Sequence, residues 1–145
     1  MESERILKMS TGNLQGSPDY LSRFYQPKVT AYEFLKYFFA YVGESTSAVQ
    51  RDFVDFLHEQ KQLEENTDVM EEINFRSNGI AYYSDDLDDA LYNLQNGGLL
   101  GKMNPSFGVI IIKYSNEESR AIKDSIPSEY QSVIKNIAEK YCSDR

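Results

Sequence analysis

Nine carboxylates and one guanidinium fall within the 26 residues from Glu64 to Asp89. The acids are Glu64, Glu65, Asp68, Glu71, Glu72, Asp85, Asp86, Asp88 and Asp89, and the base is Arg76, so this stretch carries the whole net charge of −8 while the rest of the chain is neutral. Carboxylates gathered in this way have a short list of uses. They can bind a hard cation, share a proton in acid–base catalysis, favour a helix N-terminus through the macrodipole, or meet a basic surface. The run Asp85, Asp86, Leu87, Asp88, Asp89 lacks the spacing, the central glycine and the closing glutamate of a calcium loop. Paired acids also serve glycoside and phosphoester chemistry, but here all the pairs sit in one charged run, which reads as solvated charge.

The remaining reactive side chains are few. His58 is the only imidazole and Cys142 the only thiol, so zinc-ligand spacing and a disulfide framework are both absent from the sequence. His58 sits beside Glu59 on an amphipathic stretch, without a nucleophile motif to accompany it, and reads as a solvated or half-buried helix residue. Gly97 and Gly98 have no phosphate-loop context and read as a helix end. The chemistry therefore points away from catalysis, metals and cofactors and toward binding.

Those acids need elements to position them. A chain of 145 residues fits one domain and buries roughly two thirds of its unfolded surface. Residues 1–18 read as a loose arm and 19–145 as a single domain. Asp19 to Tyr25 reads as a short helix ahead of Pro27. Thr30 and Glu33 form a capping box ahead of Phe34, Leu35, Phe38, Phe39 and Val42, with Gly43 as the stop. Ser45 to Ser47 offers a second N-cap, after which Val49, Phe53, Phe56, Leu57, Gln60 and Leu63 recur at helical spacing. The acidic segment 64–75 reads as a further helix on Val69, Met70 and Ile73, with Asn66, Thr67 and Asp68 as turn residues at its start and a loop as the alternative. Ser77, Asn78 and Gly79 break the chain. Ser84 caps a helix striped by Leu87, Ala90, Leu91 and Leu94 and closed at Gly97–Gly98.

Strands at 99–103 and 109–114, joined through Asn104 to Gly108, make a β-hairpin, and Val109 to Ile112 is the strongest β signal in the chain. Ser115 and Glu118 form a second capping box, and Pro127 opens a last helix striped by Tyr130, Val133, Ile134, Ile137, Ala138 and Tyr141. The expected class is α+β, mostly α, and the order of helices followed by a hairpin at 99–114 is that of a winged-helix-like unit.

Phe34, Leu35, Lys36, Tyr37, Phe38, Phe39 and Ala40 resemble the leucine-lysine-aromatic helix of the bacterial SocA-like antitoxin (Panacea) domains. Phe75 through Gly79, Tyr83, Ser84, Leu87, Leu91, Leu94, Gly98 and Leu99 resemble that family's glycine-proline-aromatic-serine turn and the helix it enters. Ile80 and Ala81 stand where the family places proline after the glycine. The resemblance covers about residues 34–114, and it implies a noncatalytic domain that neutralises a toxin or acts as an adaptor by protein contact.

Composition narrows the partner. The helix from Ser84 would be the DNA-reading helix of a winged-helix protein, yet it opens with four aspartates and contains no base, so phosphates are repelled there. A basic protein (a toxin, a nuclease or a regulator) meeting Glu64 to Asp89 is the expected partner, with the aspartates at 85–89 also favouring the helix N-terminus and solubility. Three alternatives remain, one of them an enzyme that uses His58 as its base beside carboxylates. The carboxylates can stand in for phosphates as a nucleic-acid mimic in the groove of a DNA-binding enzyme. Or the bases near the hairpin, Lys102, Lys113, Arg120 and Lys123, can contact DNA in a transcription regulator while the acidic helix faces away. The first helix is aromatic on nearly all sides, so it is either central or, like the last helix, a seam for a homodimer. The single cysteine, an N-terminus without a secretory layout and an apolar run of 34–42 broken by Lys36 together predict a cytoplasmic protein with no membrane partner.

Overall fold

Thr30 starts the first helix as its sequence dictates. Its hydroxyl accepts from the Glu33 N–H at 3.0 Å, and the Glu33 carboxylate accepts in return from the Thr30 N–H at 3.0 Å. The computed structural model describes residues 29–101 and 108–144. Within them lie helices α1 (Ala31–Val42), α2 (Phe53–Lys61), α3 (Asp85–Asn96), α4 (Asn116–Asp124) and α5 (Ser128–Ser143). Four short strands accompany them: β1 (Ala48–Gln50), β2 (Arg76–Ser77), β3 (Tyr82–Tyr83) and β4 (Val109–Ile111). The class is α+β and mostly helical. The expected arm at 1–18, the helix at 19–25 and the turn residues 104–107 lie outside the described residues.

α1 is the centre of the core. Phe34, Leu35, Tyr37, Phe38, Phe39, Ala40 and Val42 are all buried along it, and α3, α4 and α5 pack against it. Tyr141 of α5 places its ring edge-on to Phe38 and to Phe56 of α2, with centroids 5.8 and 5.2 Å away, an arrangement the ring quadrupoles favour. Most of the aromatic wrapping of α1 therefore goes into the interior, with Tyr32 and Tyr41 half-buried.

Two segments differ from the expected helices. The helix expected from Ser45–Ser47 begins only at Phe53, because residues 48–50 form β1. Thr46 turns the chain, its hydroxyl pairing with both the N–H and the carbonyl of Ala48, and Val49 alone faces inward, opposite Ile110 of antiparallel β4. Leu63, assigned to the apolar stripe, is exposed beyond the end of α2. The helix expected over 64–75 is instead a 3-10 turn at Glu64–Asn66 followed by further turns. Acids at 64, 65, 68, 71 and 72 would face one another at helical i+3 and i+4 spacing without an intervening base, which disfavours an α-helix. Side chains hold the segment instead. Buried Asn66 donates to the Gln60 carbonyl at 2.9 Å, and the Lys61 ammonium donates to the Ile73 carbonyl.

The hairpin expected at 99–114 is paired at its base. Leu100 bridges Ile112, with the Gly101 N–H donating to the Ile111 carbonyl and the Lys113 N–H to the Leu99 carbonyl, both at 2.8 Å. β4 thus lies between β1 and the 99–101 segment. Gly101 allows the close approach, since a Cβ there would sit 3.1 Å from Ile111 Cβ. A second hairpin, β2–β3, corrects the expectation of only one, with Arg76 opposite Tyr83 and Ser77 opposite Tyr82.

Candidate functional site: the β2–β3 hairpin and the acidic end of α3

Ser84 sets the start of α3. Its buried hydroxyl accepts from the Leu87 N–H at 3.2 Å, so Asp85, Asp86 and Asp88 fall in the first turn, where the macrodipole favours negative charge. These acids do different work. Asp85 takes the Arg76 guanidinium at 2.7 Å, and that guanidinium also lies 5.0 Å from the centre of the Tyr83 ring. One Asp86 oxygen accepts from both the N–H of Asn74 at 2.9 Å and its side-chain amide at 3.2 Å. Asp88 is half-buried, 3.7 Å from Arg51. Burial lifts its carboxyl above the ordinary aspartate value, Arg51 opposes the lift, and Asp85 and Asp89 add to it. Asp89 is exposed.

The five remaining acids lie in the turns before the hairpin. Glu64, Glu65, Asp68 and Glu71 are exposed and Glu72 is half-buried. Glu65 lines an open groove of about 550 Å³ with Val133, Asn136 and Lys140 of α5. The structure thus brings Asp85, Asp86, Asp88 and Asp89 together on one helix end and turns Glu65 toward α5.

What sequence reasoning missed is the element between the two acidic groups. Ser77, Asn78 and Gly79, read as a chain break, are the end of β2 and the start of the β2–β3 turn, which runs over 78–81. The Asn78 side chain accepts from the Ile80 N–H at 2.9 Å and the Ala81 N–H at 3.0 Å, and the Ser77 hydroxyl accepts from the Gly79 N–H at 3.0 Å. Gly79 has φ +90°, a left-handed conformation that glycine adopts without steric cost. The turn carries Ile80 at its tip, 94 % exposed. The Asn-Gly pair was the signal for a turn, although it predicts a two-residue loop where the register leaves four residues between the strands.

His58 fastens this hairpin to α2. Its ring stacks on Tyr82 at 3.5 Å between centroids and 11° between planes, and meets Phe75 edge-on at 5.3 Å. Asp55, one turn earlier, accepts from the Tyr82 N–H at 3.0 Å. The imidazole thus has a packing position between the two ends of the hairpin segment. Cys142 is half-buried on α5, and among the described residues no group of three His, Cys, Asp or Glu side chains is placed to hold a metal ion.

The exposed side chains of α3 are Asp85, Asp89, Tyr92, Asn93 and Asn96. Of the bases near the 99–114 hairpin, Lys113 and Arg120 are exposed, Lys123 pairs with Glu44 and lies 5.3 Å from the Tyr41 ring centre, and Lys102 falls outside the described residues. No helix among the described residues is long and apolar enough to cross a membrane. Comparison of the chain with protein-family models, with curated proteins and with solved structures finds no significant match in any of the three.

Proposed function

We propose that this chain is a noncatalytic protein-binding regulator or inhibitor, of antitoxin or phage type, acting in the cytoplasm on a basic partner through the acidic surface of residues 64–89. The observation that carries the reading is the exposed side of α3, which offers Asp89 and the Arg76-paired Asp85 beside Tyr92, Asn93 and Asn96, with no base on the helix itself. Such a surface steers and selects a positively charged protein and repels phosphates. Support for a winged-helix-like unit comes from the order α1, β1, α2, α3, then the 99–101 segment and β4, with β4 paired on both sides. In that reading α3 holds the recognition-helix position but with the wrong charge for DNA. The likeness of 34–40 and 75–99 to SocA-like antitoxin domains agrees with a role by protein contact.

The test compares the wild-type chain with one in which Asp85, Asp86, Asp88 and Asp89 are all Asn. A basic protein retained from host lysate by the first and lost by the second is the expected result. A partner retained equally by both refutes the acidic contact. The DNA-contacting alternative predicts duplex binding with a steep salt dependence, and the mimicry alternative predicts that a DNA duplex displaces the chain from its partner.

A further inference from the structure

We infer that the tip of the β2–β3 hairpin, Ile80, is the apolar anchor of the interface, seated in a pocket of a partner protein whose rim is basic. The inference rests on the reading above and names the contact that an acidic surface alone does not supply. Three observations lead to it. Ile80 is 94 % exposed although it is a large aliphatic residue. The loop that carries it is held by side chains: Asn78 and Ser77 bind the turn, while His58, Asp55 and Asp85 hold the strands. An apolar group on a fixed support binds with little loss of loop freedom, as interface anchors do.

The third observation is charge, which selects the occupant. Residues 74–89 contain four aspartates and one arginine; with Arg76 on Asp85 and Arg51 beside Asp88, Asp86 and Asp89 remain as unbalanced negative charge. An anionic lipid surface would be repelled by such surroundings, and so would a nucleic acid. A protein pocket ringed by lysine and arginine meets both the aliphatic tip and the carboxylates at its foot. Full burial of an isoleucine corresponds to a loss of about tenfold to a hundredfold in affinity when that side chain is cut back.

Site-specific photocrosslinking tests this in the full-length chain. Ile80→p-benzoylphenylalanine is compared with Arg120→p-benzoylphenylalanine in the cells that make the protein. The expected result is one discrete adduct from position 80, absent from position 120, whose crosslinked partner peptide lies among lysines and arginines. With that partner purified, Ile80→Ser is expected to weaken binding by about tenfold to a hundredfold, and Ile80→Val to restore most of it. Thermal unfolding followed by circular dichroism checks that each variant keeps the fold. No adduct from position 80, the same adducts from both positions, or a crosslinked peptide on an acidic surface overturns the inference. Wild-type binding to vesicles of phosphatidylcholine and phosphatidylserine in equal parts, lost in Ile80→Ser, overturns it in favour of a membrane contact. If Ile80→Ser binds as tightly as wild type while the four-Asn variant does not, the anchor fails and the acidic reading survives. The reverse pattern sinks the acidic reading and the basic rim with it, and leaves Ile80 only as an apolar contact.

Discussion

Separating His58 from Tyr82 should loosen the hairpin while leaving the core folded, and a double-mutant cycle of His58→Ala and Tyr82→Ala measures by how much. Tyr82 is 41 % exposed, so somewhat more than half of its surface is covered, with the imidazole stacked on its ring at 3.5 Å. At about 25 cal/mol per Å² over roughly 100 Å² of covered ring, the upper bound for Tyr82→Ala is about 2.5 kcal/mol, and compactness of the unfolded chain brings the expected loss nearer 1.5 kcal/mol. His58→Ala removes the same stack and the edge contact to Phe75, for a similar loss. Because the two rings share one contact, the double variant should be less destabilised than the two losses combined. The shortfall is the coupling energy, about 1 kcal/mol for an aromatic pair.

Urea unfolding gives the global values, and hydrogen exchange at the Tyr82 amide, bonded to Asp55 at 3.0 Å, reports the hairpin itself. Exchange there should speed up in His58→Ala while amides of α1 keep their protection relative to the global stability. A coupling below about 0.3 kcal/mol, within the usual additivity of independent sites, would refute the idea that this stack fastens the hairpin. So would unchanged exchange at Tyr82.

Ser84→Ala removes the cap of α3 and leaves the Leu87 N–H without its acceptor, so a loss of about 1 kcal/mol is expected by urea denaturation. Tyr114→Phe deletes the hydroxyl that donates to the Lys36 carbonyl at 2.8 Å and should cost about 1 kcal/mol, or about 3 °C in melting temperature. Asp88 gives a pH-dependent outcome. Its carboxyl titrates above the ordinary value of 3.8, so the folded state favours the protonated form, and the cost of charge is fully present at neutral pH. The Asp88 side chain is 44 % exposed, so solvent screening keeps the effect small, and Asp88→Asn should match or slightly exceed wild-type stability at neutral pH. That advantage should fade as pH falls through the raised folded value toward the unfolded one. Urea midpoints at several pH values check this, and an advantage that grows on acidification contradicts the desolvation argument.

The sequence showed what neighbouring residues decide. Both capping boxes, at Thr30/Glu33 and Ser115/Glu118, and the Ser84 cap form as read, because every partner lies within a turn of the residue it caps. It did not show β1, since Ala48, Val49 and Gln50 become a strand only opposite Val109 to Ile111, far along the chain. In isolation Val49 fits a helical stripe equally well. The acidic segment failed for another reason: its apolar residues match a helix, while its charges and the Asn66 and Lys61 side chains favour turns. At the site, the charge was legible but its use was not. Asp86 clamping Asn74, Asp88 facing Arg51 and His58 holding Tyr82 all join residues on different elements.

The packing of α1 against α5 has a consequence for how the protein is made. Synthesis runs from the first helix toward the last at about 5–20 residues per second, so α1 waits roughly 5–20 s for its partner. Over that interval Phe34, Phe38 and Phe39 lack the cover that Tyr141, Ile134 and Ile137 later contribute to the same core. A stalled or truncated chain would keep this aromatic helix on display, as a ready substrate for chaperones and proteases. Docking of α5 then covers those rings, so the time over which this helix can be seized or cleaved is set by how promptly α5 arrives.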